Sequence, residues 1–180
     1  SLITTFNINM SGYGSIKIYL YKTFLIHVAE NTKDVIFDIF DIKTKQKLIS
    51  VSDIKPEPVK YEPHYIEKTG MYKNYLIIFW DNYRNLSLQL FNLDKLKVET
   101  VVPLPNDSWQ NVTNCAFIEV NENQICLYSK AGWIYEHPVN SQYHSIPSLE
   151  LIKTKRFNPN YKYESGRLDA FYQGERFRLY

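Results

Sequence analysis

Two stretches of this chain, residues 24–51 and 75–102, align at a constant offset of 51 over 28 positions without a gap. Five positions are identical: Leu25/Leu76, Ile26/Ile77, Asn31/Asn82, Phe40/Phe91 and Val51/Val102. Agreement of pattern goes further than identity. Each stretch opens on an apolar run, 24–29 or 75–80, and crosses a polar turn, 30–34 or 81–85, rich in residues that tolerate turn geometry. An alternating strand follows, with Val35, Phe37 and Ile39, or Leu86, Leu88 and Leu90, on one face. It closes on Phe40-Asp41-Ile42 or Phe91-Asn92-Leu93, and a lysine-bearing turn leads into a last short strand, 48–51 or 98–102. Continuous apolar runs beside alternating ones are expected of strands packed between neighbouring sheets. A fixed period of this kind means units that bury one another's faces, because one unit alone cannot enclose its apolar side.

A third, looser unit spans 115–146, with strands at 115–120, 125–129 and 133–137 and turns at 121–124 and 130–132; Pro138 then follows, where proline ends a strand. A strand at 15–21, alternating on Ile16, Ile18 and Leu20, precedes the first repeat. Residues 168–172, Gln173-Gly174 and 175–180 predict a tight terminal hairpin. Nothing sustains helical apolar spacing over ten residues, and all eight prolines fall outside strand centres. With 44% apolar and 16% aromatic residues the chain has material for a sizeable core. No stretch approaches the roughly 18–20 apolar residues of a membrane span. These features predict an all-β fold, an antiparallel meander of repeated units over 1–152, followed by a basic segment over 153–180 that ends in a hairpin.

Strand, turn, strand ending in aromatic-Asp, short turn and strand: this order resembles the inner part of a WD-type or Kelch-like β-propeller blade, over about residues 15–146. Phe40-Asp41 and Phe91-Asn92 stand where such blades end their third strand, whereas Trp80-Asp81 closes a second strand and faces a turn. The Gly-His pair of a WD blade is absent, and 51 residues is a long spacing for that family. The resemblance implies a β-propeller or partial propeller. A period near 45–50 gives room for about four blades, the low end of the usual range. The chain is then either a piece of a larger propeller or a four-bladed ring whose last blade is completed by a strand at 2–8. Its opening on Ser1-Leu2-Ile3, mid-pattern and without a basic or apolar leader, predicts a processed product or a piece of something longer.

Cys115 and Cys126 are the only cysteines. A hairpin closing at 121–124 sets Cys126 opposite Glu119 and Cys115 opposite Lys130, too far along the ladder for a bond that needs Cα atoms within about 7 Å. Two thiols fit a reducing compartment, which predicts an intracellular protein, cytoplasmic or nuclear. There is no phosphate-cradling glycine loop, and His27, His64, His137 and His144 do not form a metal-ligand spacing, so neither cofactor nor metal is expected.

Function should therefore lie in the loops between units, as a non-enzymatic scaffold that binds a protein partner, other subunits of a complex included. The loops joining second to third strands share a face with the connections between blades, and carry Tyr61, Tyr83, Arg84, Trp109 and Lys130; aromatics and arginine anchor protein interfaces. The Pro-bearing stretch 52–63 reads as a stiff connector or docking segment. Lys43, Lys45, Lys47, Lys95 and Lys97, in the third-to-fourth-strand turns, offer an alternative, a phosphate backbone or acidic surface. The basic segment supports it: 153–180 holds seven basic and three acidic side chains, a surplus of +4, which leaves 1–152 at −2 in a chain of net +2. A third reading, a glycosidase-type propeller, would draw acids such as Asp38, Asp41 and Asp81 from separate blades.

Overall fold

The structure, a computed structural model, describes residues 15–30, 35–56, 65–81, 86–104, 115–121, 124–130, 139–158, 160–164 and 167–178. These form fifteen strands and one four-residue helix. The first sheet contains β1 (Ser15–Tyr21), β2 (Phe24–Glu30), β3 (Val35–Asp41) and β4 (Gln46–Ile49), followed by α1 (Val51–Ile54). The second contains β5 (Tyr65–Tyr72), β6 (Tyr75–Asp81), β7 (Ser87–Asn92) and β8 (Lys97–Pro103). The third contains β9 (Cys115–Asn121), β10 (Gln124–Lys130), β11 (Val139–Ser145) and β12 (Leu151–Phe157). The fourth has three strands, β13 (Asn160–Glu164), β14 (Arg167–Tyr172) and β15 (Glu175–Arg178). Within each sheet the strands lie in chain order and pair antiparallel, so every sheet is a meander.

The 51-residue offset holds at the level of hydrogen-bond register. Phe24 faces Asp41 across β2–β3, and Tyr75 faces Asn92 across β6–β7. Because side chains alternate, this fixes which face each residue joins. Ile26, Val28, Phe37 and Ile39 of the first sheet pack into one core with Leu76, Ile78, Trp80, Phe91 and Leu93 of the second. Phe37 and Phe91 meet edge to face at 6.1 Å. The opposite face of the second sheet, Ile77, Phe79, Leu88 and Leu90, packs with Leu104, Ile125 and Leu149 near the third sheet. Those four residues are the 51-shifted counterparts of Ile26, Val28, Phe37 and Ile39. The first and second sheets thus turn the same face towards the sheet that follows. This explains why residues 76–80 are apolar without alternation: both faces of β6 are covered, and none of the five is more than 1% exposed. Each such side chain contributes about 1.5–3 kcal/mol.

One polar group is buried between the first two sheets. Gln89 accepts from Trp80 Nε1 at 2.5 Å and donates from Nε2 to the carbonyl oxygen of Ile54 at 2.7 Å. Trp80 therefore lies in the core instead of facing a turn. The acceptor comes from α1, a single turn opened by Ser50, whose backbone N–H and Oγ both donate to the Asp53 carboxylate at 2.7 and 2.8 Å. These bonds hold the Asp53 carboxyl below the usual range. Ile54 is 1% exposed and seals that core.

Several expectations change. The strand predicted at 48–51 ends at Ile49, and Val51 opens α1, because Ser50 and Asp53 form a capping box that positions 101–104 lack. Only 52–56 of the 52–63 connector is described: 52–54 are helical, and the backbone leaves the helix at Lys55. Strands β5, β11, β12 and β13 have no forerunner in the sequence pattern. The strand expected at 133–137 lies outside the described residues; β11 begins just after Pro138. Lys130 closes β10 opposite Val139 instead of opening a turn. Cys126 faces Glu119 as expected, but a register shift between Leu127 and Tyr128 places Cys115 opposite Ser129 rather than Lys130. The basic segment starts inside β12, whose Lys153 and Lys155 oppose Tyr143 and Ser141. The terminal hairpin forms at Gln173 and Gly174, both with positive φ. The strand expected at 2–8 lies outside the described residues.

Candidate functional site

Of the residues expected to bind a protein, Tyr61, Tyr83, Arg84 and Trp109 lie outside the described residues, and Lys130 is placed by its backbone at the end of β10. The lysine-bearing turns are described in full.

In a four-stranded meander the first and third turns share one end. Ile42 N–H donates to Thr23 O in the first sheet, and Leu93 N–H to Asn74 O in the second, each at 2.8 Å, tying these turns together. The two ends coincide. Asp94, in the second sheet's β7–β8 turn, accepts from Tyr21 Oη at 3.0 Å and from Lys22 Nζ at 2.5 Å, both from the first sheet. Lower on the same side, Tyr19 Oη lies 2.6 Å from Thr69 Oγ1, so β1 and β5 are neighbours.

The aromatic-Asp motif accounts for these turns. The Asp41 carboxylate accepts from Lys43 N–H at 2.8 Å, and Asn92 Oδ1 accepts from the N–H groups of Asp94 and Lys95 at 3.0 and 3.1 Å. Such side-chain-to-backbone bonds hold a tight turn in place of a ladder. Four residues at this end adopt positive φ, namely Lys22, Lys45, Lys73 and Leu96.

Lys43, Lys45, Lys47, Lys95 and Lys97 are all exposed and gathered at this end, together with Lys22 and Lys73, which the sequence reasoning missed; Lys47 and Lys97 stand in β4 and β8, paired with Phe40 and Asn92, rather than in the turns. Their signal was the offset itself: continued upstream, it matches Tyr21-Lys22 to Tyr72-Lys73. In both pairs the ammonium sits over the preceding ring, at 5.1 and 4.9 Å. Three lysines hold the protein's own carboxylates: Lys22 with Asp94, Lys47 with Asp38 at 3.3 Å, and Lys95 with Glu99 at 3.1 Å. The Lys22 bond keeps the Asp94 carboxyl below its ordinary range, and Lys95 with Asn92 does the same for Glu99. Asp94, and then Tyr21, raise Lys22. Lys43, Lys45 and Lys97 form no ion pair among the described residues. Seven lysines against Asp38, Asp41, Asp94 and Glu99 leave this end at +3.

The remaining titratable groups are dispersed. Asp38 is engaged by Lys47, Asp41 builds a turn, and Asp81 ends β6. His27 is 1% exposed with no partner for Nε2 among the described residues; burial depresses its basicity, against an opposing pull from Asp38. His144 is buried as well, with Nδ1 3.0 Å from Leu149 O, and burial lowers it too. Cys126 is a buried thiol opposite Tyr143. His64 and His137 lie outside the described residues. Among the described residues no three His, Cys, Asp or Glu side chains converge as metal ligands, and no helix is long and apolar enough to cross a membrane. The chain matches no protein-family model, and no curated protein matches it.

Proposed function

We propose that the sheets are the blades of a four-bladed β-propeller that serves as a non-enzymatic scaffold, binding a protein partner through the turns and loops at its two ends. The observation that carries this is the repeated stacking: the face formed by Ile26, Val28, Phe37 and Ile39 is used again, 51 residues on, towards the next sheet. First strands also lie side by side, β1 by β5 through Tyr19–Thr69 and β5 by β9, as strands around a common axis would. His27 and Ala29 support ring closure, since both are buried on the face of the first sheet that turns away from the second. In such a scaffold the strands are committed to packing, which leaves the loops as the recognition surface.

Replacing Tyr83, Arg84 and Trp109 together by Ala tests the loop face. Capture of a partner should be lost while the circular-dichroism spectrum is kept; undiminished capture refutes that face. For ring closure, small-angle scattering of a 180-residue compact monomer should give a radius of gyration of about 16 Å. A much larger value at one chain per particle rules out the closed disc. Nucleic-acid binding through the gathered lysines is the second reading, and affinity that does not fall with salt removes it.

A further inference from the structure

We propose that the lysine-bearing end of the first two sheets is the seat of an acidic segment of the protein partner. The proposal rests on the scaffold reading and names the chemistry of what one end recognises. Two independent observations carry it. The first is charge sorting. Residues 1–152 have a net charge of −2, yet this end is at +3, so the rest of that span is at −5. The acids at this end are thus outnumbered, so the surplus of positive charge in this span is local to it. The second is backbone cost. Three of the four positive-φ residues at this end are lysine, at φ 50 for Lys22, 60 for Lys45 and 53 for Lys73. A β-carbon in this region costs about 1–2 kcal/mol relative to the right-handed one, and glycine or asparagine is the usual occupant. Solubility could be served at any exposed site; lysine kept in strained turns points to a need for the charge there.

The chemistry favours carboxylates over phosphates. Asp94, held by Lys22 Nζ and Tyr21 Oη, is a worked example of a carboxylate bound at this end. Asp41, Asp94 and Glu99 are interleaved with the lysines. A nucleic-acid strand, with a charge every ~3.4 Å, would be driven against those acids, whereas a polypeptide can space its own acids to avoid them. Among the described residues this end also has no arginine, whose planar fork suits phosphate, while lysine acts as a point charge.

The test is fluorescence anisotropy of the whole protein with labelled poly-L-glutamate of about 20 residues, at about 20 and 200 mM NaCl. Binding is expected at low salt, falling at least about tenfold at high salt. Lys43→Glu, Lys45→Glu and Lys97→Glu together should weaken it at least about tenfold more. Lys153→Glu, Arg156→Glu and Lys162→Glu, the same change of charge elsewhere, should cost less than about twofold. Should the first triple variant fail to fold, Lys43→Gln with Lys97→Gln should still give a loss of about threefold. No binding at low salt, equal losses in the two triple variants, or tighter binding of a 20-nucleotide oligothymidylate each overturns the proposal. Partner capture that needs Tyr83, Arg84 and Trp109 but ignores Lys43, Lys45 and Lys97 overturns it while leaving the scaffold standing.

Discussion

Gln89→Leu is the most incisive perturbation of the joint between the first two sheets. Leucine matches the volume but removes the acceptor for Trp80 Nε1–H and the donor to Ile54 O. Both groups remain buried, since Trp80 and Ile54 are each 1% exposed. An orphaned buried group costs about 1–3 kcal/mol, and the leucine's own transfer from water returns part of that, so a net loss of about 2–4 kcal/mol is expected. For a chain of this size each kcal/mol moves Tm by about 2–4 °C, which places the shift between about 4 and 16 °C. Urea denaturation should show a lower midpoint with an unchanged slope, because the surface exposed on unfolding is nearly the same. Trp80→Phe removes the indole donor, so the double variant should be at least about 1 kcal/mol less damaging than the sum of the two single changes. A loss under about 0.5 kcal/mol, or strict additivity, would refute the claim that this triad of groups holds the joint.

Phe91→Ala should cost about 3–5 kcal/mol in the same assay, as the ring fills the core between the sheets and meets Phe37 edge-on. Asn92→Ala removes the acceptor for two turn N–H groups and the donor to Glu99, and should cost about 1–2 kcal/mol. The pH dependence follows from His27 and His144, both depressed by burial. The unfolded chain binds their protons first, so stability should be full above about pH 6.5 and fall as pH drops below it, by at most about 1.4 kcal/mol per pH unit for each histidine, until the folded values are reached. His27→Leu should remove its share of that slope, measured as urea midpoints from pH 7.5 to 5.5. The lowered carboxyls of Asp53, Asp94 and Glu99 act in the opposite titration range: their stabilisation is present above the ordinary carboxylate pKa and is lost only in more acidic solution.

What could be read from the residues was what repetition and alternation encode. Strands β1, β2 and β3, the partner of Cys126 and the faces carrying Phe37 and Leu88 follow from period-two patterning around strong turn residues. Strand β5 escaped because its residues, with Glu67, Lys68, Thr69 and Gly70 in sequence, carry no apolar stripe, and β12 begins apolar but continues through Lys153, Lys155 and Arg156. Their pairing is dictated by the sheet already formed, a tertiary effect that local preference does not contain. The helix at 51–54 is one turn, too short for periodicity, and only its capping pair marks it. The lysine end was half legible: the gathering of the third-to-fourth-strand turns and their five lysines on one face follows from the meander, but the addition of Lys22 and Lys73, and the partnering of Lys47 and Lys95 with nearby acids, needed the register. The aromatic and arginine positions 61, 83, 84 and 109 lie outside the described residues.

The carbonyl of Ile54 carries a consequence for how this sequence can drift. A main-chain acceptor is the one partner that point mutation cannot delete, so connector residues around it are free to diverge provided the turn and its plug persist. Relatives of this chain should therefore vary most at the junction between units while retaining a glutamine-like donor opposite it, and sequence searches that weight the junction would overlook them.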